Sequence, residues 1–191
     1  AFIVTVPNMT AAKSVSGQIR AVKTESDATA CVPSFSSVTR AIKFTTGYIS
    51  PTKEQSVAAG VTVDKPIVVN GTNVTTNTTL NLAFDANGMA PLTTVRYDDA
   101  GQVKPTASYT GNSTNGDPYL EMTGSATFVS KPYGLCLQTD SSCSAVGFDN
   151  NCKPFANGTV RAGDGFPLRV SAVGWQAQNN GDDEPLTAAA L

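Results

Sequence analysis

The sequence contains no histidine. This absence excludes Ser-His-Asp and Cys-His catalytic triads, histidine-ligated metal sites and imidazole acid–base catalysis. Charge is also sparse, at 15% of the 191 residues, and the net charge is only −2. Because phosphate contacts need clustered lysine and arginine, we expect no nucleic-acid partner. Apolar runs stay well below the roughly 18 residues of a membrane-spanning helix, so we predict no membrane span in this chain.

The clearest positive pattern lies in residues 79–109. Leu80, Leu82 and Phe84 alternate with polar or small residues, which is the period of a half-buried strand. Two turn signals rich in Asp and Gly, at residues 85–88 and 98–101, follow this strand and the next one. The segment therefore predicts three antiparallel strands joined by short turns, a β-meander with no helical period.

The middle strand of this segment contains an irregularity. Its early apolar residue, Leu92, is out of phase with Val95 and Tyr97. One extra residue in a strand shifts the alternation by one position, so we predict a β-bulge near Thr93-Thr94.

The spacing of strands and turns predicts an all-β chain in two parts. Residues 1–131 have the strand pattern of an immunoglobulin-like antiparallel β-sandwich. Residues 132–191 are predicted to hold a disulfide-containing loop and the first strands of a second β-domain. The alternating residues 2–6 have no hairpin partner directly after them, and we expect them to close an edge of their own sandwich. The alternative is that they insert into a neighbouring molecule, as in donor-strand complementation. Because Ala1 already belongs to a strand pattern, we expect the chain to be a fragment of a longer protein.

Four cysteines are present, at Cys31, Cys136, Cys143 and Cys152. An even number in a sequence of secreted character predicts two disulfides, and the close spacing of the last three predicts at least one local bridge. Four cysteines allow three connectivities, so the pairing stays open. Zinc binding is disfavoured because no Cys-x₂₋₄-Cys pair occurs.

Acidic residues are the other groups that could carry chemistry. Asp98-Asp99 and residues 182–184 are candidates for a glycosidase-like carboxylate pair. Asp98 and Asp99 are adjacent in a turn and point in different directions, so we expect them to bond to their own backbone instead. Residues 85–88 resemble the start of a calcium loop but lack its downstream glutamate. We predict no enzymatic activity and no cofactor, with weak calcium binding, here or at residues 149–151 and 182–184, as the alternative.

Residues 70–79 form the most polar exposed segment that the sequence predicts. A ligand loop there would use side-chain amides and hydroxyls, those of Asn70, Thr72, Asn73, Thr75 and Asn77. Such groups can hydrogen-bond a sugar, although the segment offers no aromatic ring for stacking. The only tryptophan, Trp175, is expected to pack in a core or at an edge.

Several ordered motifs carry a resemblance to a known family. They are AFIVTVPN at residues 1–8, ACVPSFSSVTRAIKFTTGYISP at 30–51, NLAFDANG at 81–88, VRYDDAGQVKPTASYTG at 95–111, LEMTGSATFVSKP at 120–132 and RAGDGFPLRVSAVGW at 161–175. Together they resemble the C-terminal region of MshQ-like proteins, large surface proteins named from the biogenesis locus of a type IV pilus, the mannose-sensitive haemagglutinin. The resemblance implies an extracellular place at the bacterial cell surface.

The strand pattern and the resemblance together favour a structural module of an extracellular, pilus-associated or adhesin-like surface protein. Its partners are then the neighbouring domains of the same chain, with pilin or a surface glycan as further candidates. The alternative is a carbohydrate- or pilin-binding module that acts through its loops. A hydrolase with paired carboxylates is the third hypothesis, and it is disfavoured because no acids converge from separate strands.

Overall fold

Alternating apolar residues form short strands throughout the part of the chain that the computed structural model describes, which is residues 1–24, 31–52, 65–138 and 169–175. In chain order the strands are β1 Phe2–Thr5, β2 Met9–Thr10, β3 Val15–Thr24, β4 Cys31–Pro33, β5 Val38–Ser50, β6 Ile67–Val69, β7 Thr72–Val74, β8 Thr78–Phe84, β9 Met89–Tyr97, β10 Gly101–Thr110, β11 Glu121–Ser125, β12 Phe128–Lys131, β13 Gly134–Gln138 and β14 Arg169–Val173. Within these ranges the one helical element is a 3₁₀ helix at Ser113–Asn115. The predicted all-β class is confirmed.

Two six-stranded sheets form the sandwich. The first has the order β1-β3-β9-β6-β7, with β4 also paired to β3, and the second has the order β2-β12-β10-β5-β8, with β11 also paired to β10. Neighbouring strands of the described sandwich run antiparallel with one exception. β2 and β12 are parallel, with Met9 opposite Ser130 and Thr10 opposite Lys131. The predicted antiparallel β-sandwich is therefore confirmed, with a parallel contact between its first and last parts.

Apolar side chains of both sheets meet in one core. Phe35 lies at the centre of an aromatic group, with its ring centroid 5.1 Å from those of Phe84 and Tyr109 and 6.2 Å from that of Phe2. Edge-to-face pairs of this kind add to the free energy gained from burial itself. Because the four rings come from both sheets and from the connection before β5, they hold the sheets together at one end of the sandwich.

The predicted meander is wrong in its connections. β8 pairs with β5 in the second sheet, β9 pairs with β3 and β6 in the first, and β10 returns to the second sheet. Both turns of the segment therefore cross between the sheets instead of closing hairpins. Alternation shows which face of a strand is buried, and a hairpin and a crossing turn leave the same alternation, so the pattern could not separate them.

The predicted bulge is confirmed in β9. Val15 lies opposite Val95 and Gly17 opposite Leu92, so β9 contains one more residue than β3 between these pairs. The extra residue brings Leu92 and Val95 into the core together, each 1% exposed, while Thr93 faces solvent. The bulge thus accounts for the change of phase in the sequence.

The first strand closes its own sandwich, as expected. β1 pairs antiparallel with β3 from Phe2 opposite Ala21 to Thr5 opposite Gln18. Residues 121–129 contain two separate strands, the whole of β11 and the start of β12. Ala126 lies between them, and its N–H donates to the Pro105 carbonyl at 3.1 Å.

The sandwich has two distinct ends. β5 runs between them, with Val38 opposite Phe84 at the first end and Ser50 opposite Gln102 at the second. We call the first end distal; it carries the connections at residues 34–37, 85–88 and 111–120. We call the second end the junction end, because the separate two-stranded sheet of β13 and β14 follows β12 there. No helix in the described ranges is long and apolar enough to cross a membrane.

Candidate functional site

The predicted ligand loop is a tight hairpin followed by a second turn. Asn70 and Gly71 join β6 to β7 with φ values of 49° and 80°. This is the two-residue turn that an Asn-Gly pair favours, because both positions need positive φ. Thr72 and Asn73 follow on β7, which is an edge strand of the first sheet, and both are exposed. The segment is therefore an edge strand between two turns and not a single loop.

The Asn70 side chain is bonded to the neighbouring strand. Its Oδ1 accepts hydrogen bonds from Thr93 Oγ1 at 3.1 Å and from the Thr94 N–H at 3.4 Å. The Asn70 N–H donates to the Thr94 carbonyl at 2.8 Å. On the opposite side of β9, Ser16 Oγ of β3 donates to the Thr93 carbonyl at 3.2 Å. Asn70 therefore holds the β9 bulge in place, a structural role that the sequence analysis did not predict.

The second turn connects the two sheets. The Thr75 carbonyl accepts a hydrogen bond from the Thr46 N–H at 3.0 Å, and the Thr75 N–H donates to Thr78 Oγ1 at 3.1 Å. Asn77 has a φ of 56°, and its N–H donates to Thr45 Oγ1 at 3.3 Å. The backbone groups of Thr75 and Asn77, two of the predicted ligand residues, therefore stabilise the connection from β7 to β8, while their side chains remain exposed.

A second polar loop, at residues 111–120 between β10 and β11, is organised around one carboxylate. Asp117 Oδ2 accepts hydrogen bonds from Arg40 Nε at 3.1 Å and from the Tyr109 hydroxyl at 2.8 Å. Asp117 Oδ1 accepts from the Asn112 N–H at 3.2 Å. The carboxylate therefore ties the loop to β5 and β10 at the distal end.

Electrostatics favour the charged form of this carboxylate. Burial raises the pKa of Asp117, but the hydrogen bonds from Tyr109, the Asn112 N–H and Arg40 lower it by more, so the pKa lies below its usual value. The pKa of the Tyr109 hydroxyl is raised, first by burial and also by its bond to Asp117. At neutral pH the loop is therefore held by an ion pair and a neutral phenol.

Arg40 extends the same arrangement. Its Nη2 donates to the Asn115 carbonyl at 3.0 Å, and its guanidinium lies 5.4 Å from the ring centroid of Phe35. A cation over an aromatic face is stabilised electrostatically. We call the hydrogen bonds around Asp117 the lock of the distal loop. Through Arg40 this lock contacts the aromatic group of the core.

Tyr119 projects from this locked loop. The Leu120 N–H donates to the Asp117 carbonyl at 3.2 Å, which closes a four-residue turn with Pro118 second and Tyr119 third. Tyr119 has a φ of 66°. This combination is typical of a type II turn, whose third position favours glycine or asparagine. The Tyr119 side chain is 96% exposed. Tyr119 was not among the predicted site residues, although the Asp-Pro-Tyr run in a polar loop is a turn signal.

At the junction end, the turn after β2 joins three parts of the molecule. The Ala11 N–H donates to the Lys131 carbonyl of β12 at 2.7 Å, and the Ala12 N–H donates to the Tyr97 carbonyl of β9 at 2.9 Å. The Ala11 carbonyl accepts a hydrogen bond from the N–H of Trp175, just after β14, at 2.8 Å. Both sheets of the sandwich and the second unit therefore meet at this turn.

The side chain of Trp175 also takes part in this joint between the sandwich and the second unit. Its ring is half-buried, and Lys13 Nζ lies 5.3 Å from the ring centroid. Lys13 also lines an open depression of about 330 Å³, together with Asn8, Met9, Thr10, Ser14, Val15 and Lys131. Two of these side chains take part in the contacts of the joint, because Lys13 covers the tryptophan and Asn8 Oδ1 accepts a hydrogen bond from the Val129 N–H at 2.8 Å.

The acid pair considered for catalysis is bonded locally. Asp98 Oδ1 lies 2.7 Å from Arg96 Nε in an ion pair. Asp99 Oδ1 accepts a hydrogen bond from the Ala100 N–H at 2.8 Å, the backbone bond expected of a turn residue. Burial, followed by the Asp99 charge, raises the pKa of Tyr97. Residues 182–184, the other acid candidates, lie outside the described residues.

The residues considered for calcium form a turn. Asp85 Oδ1 accepts hydrogen bonds from the Asn87 and Met89 N–H groups, both at 2.8 Å. Among the described residues, no three His, Cys, Asp or Glu side chains cluster to hold a metal ion. Residues 149–151 lie outside the described part of the chain, so weak calcium binding there stays a prediction.

One of the cysteines predicted to form disulfides lies at an edge of the sandwich, and its pairing stays a prediction. Cys31 on β4 is exposed and is a free cysteine within the described part of the chain. β4 pairs with β3 at the edge of the sandwich, whereas Cys136 lies on β13 in the separate sheet. An even cysteine count shows that pairing is possible but not which residues meet. Cys143 and Cys152 lie outside the described residues, and the local bridge among the last three cysteines stays a prediction.

Family models match both parts of the chain. Residues 1–125 match the model described as domain of unknown function DUF6701, first Ig-like domain, and residues 131–190 match that described as DUF6701, second domain. No curated protein and no solved structure gives a match. The first description agrees with the immunoglobulin-like class predicted from the strand pattern.

Proposed function

The chain belongs to the DUF6701 family, and on the basis of its strand arrangement we propose that it is a structural module that transmits tension between neighbouring domains of an extracellular bacterial surface protein. The motifs that resemble MshQ-like proteins support the surface location and a pilus-associated or adhesin-like setting. The predicted division into residues 1–131 and 132–191 is part of the same proposal.

The observation that carries the proposal is the parallel pair of β2 and β12. β2 belongs to the first residues of the sandwich and β12 to its last, and both run toward the junction end. Tension applied to the two ends of the sandwich pulls β2 backward along its axis and β12 forward. The bonds between the two strands are then sheared together instead of being opened one after another, and simultaneous rupture needs a larger force.

Further bonds act in the same geometry. The Val129 N–H donates to Asn8 Oδ1 at 2.8 Å just before the parallel pair, and the Ala11 N–H donates to the Lys131 carbonyl just after it. β1 adds four residue pairs with β3, and Ala1 exchanges two backbone bonds with Val22 at 2.8 and 2.9 Å. β1 also lies along the direction of pulling, so its bonds are sheared as well.

The joint at the junction end continues this path into the second unit. Ala11 is bonded both to Lys131 of β12 and to Trp175 after β14. The second unit is therefore attached through the covalent link after Lys131 and through the turn after β2. Two attachments restrict bending more than one linker does, which favours a stiff spacer.

Single-molecule pulling between the two ends of the chain tests this function. Asn8→Ala removes a bond across the sheared pair and is expected to lower the unfolding force of the sandwich. Asn70→Ala is the matched control, because it removes the same kind of side-chain bonds from strands that the force does not separate. If both variants lower the force equally, or neither does, the sheared pair does not bear the tension.

We also propose that the chain has no enzymatic activity, since the sequence lacks histidine and its described acids are bonded locally. The second candidate function is a binding module that acts through its loops. One specific observation favours it: the aromatic ring of Tyr119 stands in solvent on a locked turn.

A further inference from the structure

We infer that the distal loop, residues 111–120, is a contact surface for a neutral carbohydrate, with the Tyr119 ring as the face on which a sugar stacks. This inference rests on the second candidate function, ligand binding through the loops, and moves it from residues 70–77 to the distal end. It is independent of the tension-bearing role.

The first argument is the conformation of Tyr119. Its φ of 66° lies in the left-handed region, where a bulky side chain is rare because it is sterically disfavoured. The same turn built with glycine or asparagine would avoid that cost. Strain that is retained at an exposed position points to a role outside folding.

The second argument is the exposure of the ring. Tyr119 is 96% exposed, while the other exposed large apolar residues in the described part of the chain range from Tyr133 at 38% to Leu135 at 68%. The ring therefore buries almost no area within its own domain. A side chain that costs backbone energy and contributes little burial has no visible part in stabilising the sandwich.

The third argument is the rigidity beneath the ring. The two residues that flank Pro118 and Tyr119 are both held by hydrogen bonds. Asp117 accepts bonds from Arg40 and Tyr109. The Leu120 carbonyl accepts the Gly111 N–H at 2.7 Å. A Cβ at Gly111 would fall 1.9 Å from the Asp117 carbonyl oxygen, so the base of the loop is closely packed. A platform ordered before binding loses little conformational entropy on binding.

The chemistry around the ring indicates the class of ligand. Ser113 and Thr114 are exposed in the same loop and offer hydroxyl groups without charge, and exposed Asn112 adds an amide whose Oδ1 already accepts the Asn115 N–H at 2.9 Å. The Asp117 charge is compensated by Arg40 at 3.1 Å. One aromatic face in the same loop as neutral hydrogen-bonding groups suits a sugar, which has an apolar C–H face and a rim of hydroxyls. A stable protein interface needs about 800 Å² per partner with an apolar centre, and one ring does not supply that centre.

Binding of the intact chain to immobilised cello-, galacto- and chito-oligosaccharides, with heparin as the charged comparison, tests the inference. At least one neutral series is expected to bind, and heparin is not. Tyr119→Gly should weaken that binding at least tenfold, Tyr119→Phe should retain it, and Asn73→Ala should leave it unchanged. The melting temperature of Tyr119→Gly should equal or exceed that of the parent chain, because glycine relieves the backbone strain.

The inference is overturned if no neutral series binds, if Tyr119→Gly binds like the parent chain, or if Tyr119→Phe loses binding as fully as Tyr119→Gly. It is also overturned if Tyr119→Gly lowers the melting temperature, since the ring would then serve folding. Any of these results leaves the tension-bearing function standing, because that function depends on the response of Asn8→Ala to force. An unchanged force for Asn8→Ala, together with Tyr119-dependent binding, would instead make the chain a binding module alone.

Discussion

Two polar segments that contain turns, residues 70–77 and 111–120, have opposite organisation. In the first, the Asn70 side chain faces the sheet and holds the β9 bulge, and the exposed side chains are spread along an edge strand. In the second, the carboxylate of Asp117 turns inward to Arg40 and Tyr109, and the aromatic ring of Tyr119 turns outward.

The difference shows that polar density is a poor guide to a binding surface. Turns need hydrogen-bond donors and acceptors for their own backbone, so many polar residues in a β-protein are engaged before any ligand arrives. An exposed group that the fold does not use is more informative. By that criterion the distal loop, and not residues 70–77, is the candidate contact surface.

The largest expected effect concerns the lock of the distal loop. Asp117→Ala leaves Arg40 Nε and the Tyr109 hydroxyl without their shared acceptor, and we expect the free energy of unfolding to fall by about 2–3 kcal/mol. Asp98→Ala is the control, because it breaks an ion pair with Arg96 whose two side chains are about 40% exposed. That change should cost less than about 1 kcal/mol. Equal losses in urea unfolding would mean that the distal lock is no stronger than a surface ion pair.

A smaller loss is expected at the bulge. Asn70→Gly keeps the positive φ of the turn and removes the side-chain bonds from Thr93 and Thr94 and the longer bond to the Pro91 carbonyl at 3.5 Å, so the free energy of unfolding should fall by about 1 kcal/mol. Asn77→Gly makes the same exchange at another positive-φ asparagine, whose side chain makes no hydrogen bond within the described structure. It should cost almost nothing. Hydrogen exchange at the Thr94 N–H should accelerate in the first variant only, and acceleration in both would contradict the role assigned to Asn70.

Much of the fold could be predicted from the sequence because burial alternates with period 2. The strands around Leu80, Leu92 and Val103 follow that alternation, and the bulge at Thr93-Thr94 was visible as a break in its phase. The choice of sheet was not visible, since the turns at residues 85–88 and 98–101 carry the same residues whether they close a hairpin or cross the core.

The candidate site was harder to predict, for a physical reason. Asp117 lies 77 residues after Arg40 in the chain, and Tyr109 lies 69 residues after it. Only the pairing of β5 with β10 brings the three side chains together. Tyr119 looks like an ordinary loop tyrosine until its φ and exposure are known. The pairing of Cys31 could not be predicted for the same reason, since a residue count contains no distances.

The pH dependence of stability should separate the two segments further. The pKa of Asp117 is lowered in the folded chain, so its carboxylate stabilises the fold fully above the unfolded pKa of about 3.9, and that contribution is lost as the pH falls through the folded value. The stability difference between the parent chain and Asp117→Asn should therefore be constant near neutral pH and shrink below about pH 4. For Asn70→Gly the difference should not depend on pH, since no titrating group is removed. If the stability difference between the parent chain and Asp117→Asn increased in acid, the bonds to Asp117 would not favour its charged form.

The smallest effect is expected on the edge strand that the sequence favoured for ligand binding. Thr72→Ala and Asn73→Ala should each change the free energy of unfolding by less than about 0.5 kcal/mol, because both side chains are exposed on β7 and their deletion leaves no buried group unsatisfied. Glycan binding should also be unchanged, since neither residue belongs to the distal loop. The comparison is reversed if Asn73→Ala abolishes oligosaccharide binding while Tyr119→Gly does not. The exposed amides and hydroxyls of β7 would then be the contact surface, and the strained tyrosine would need another explanation.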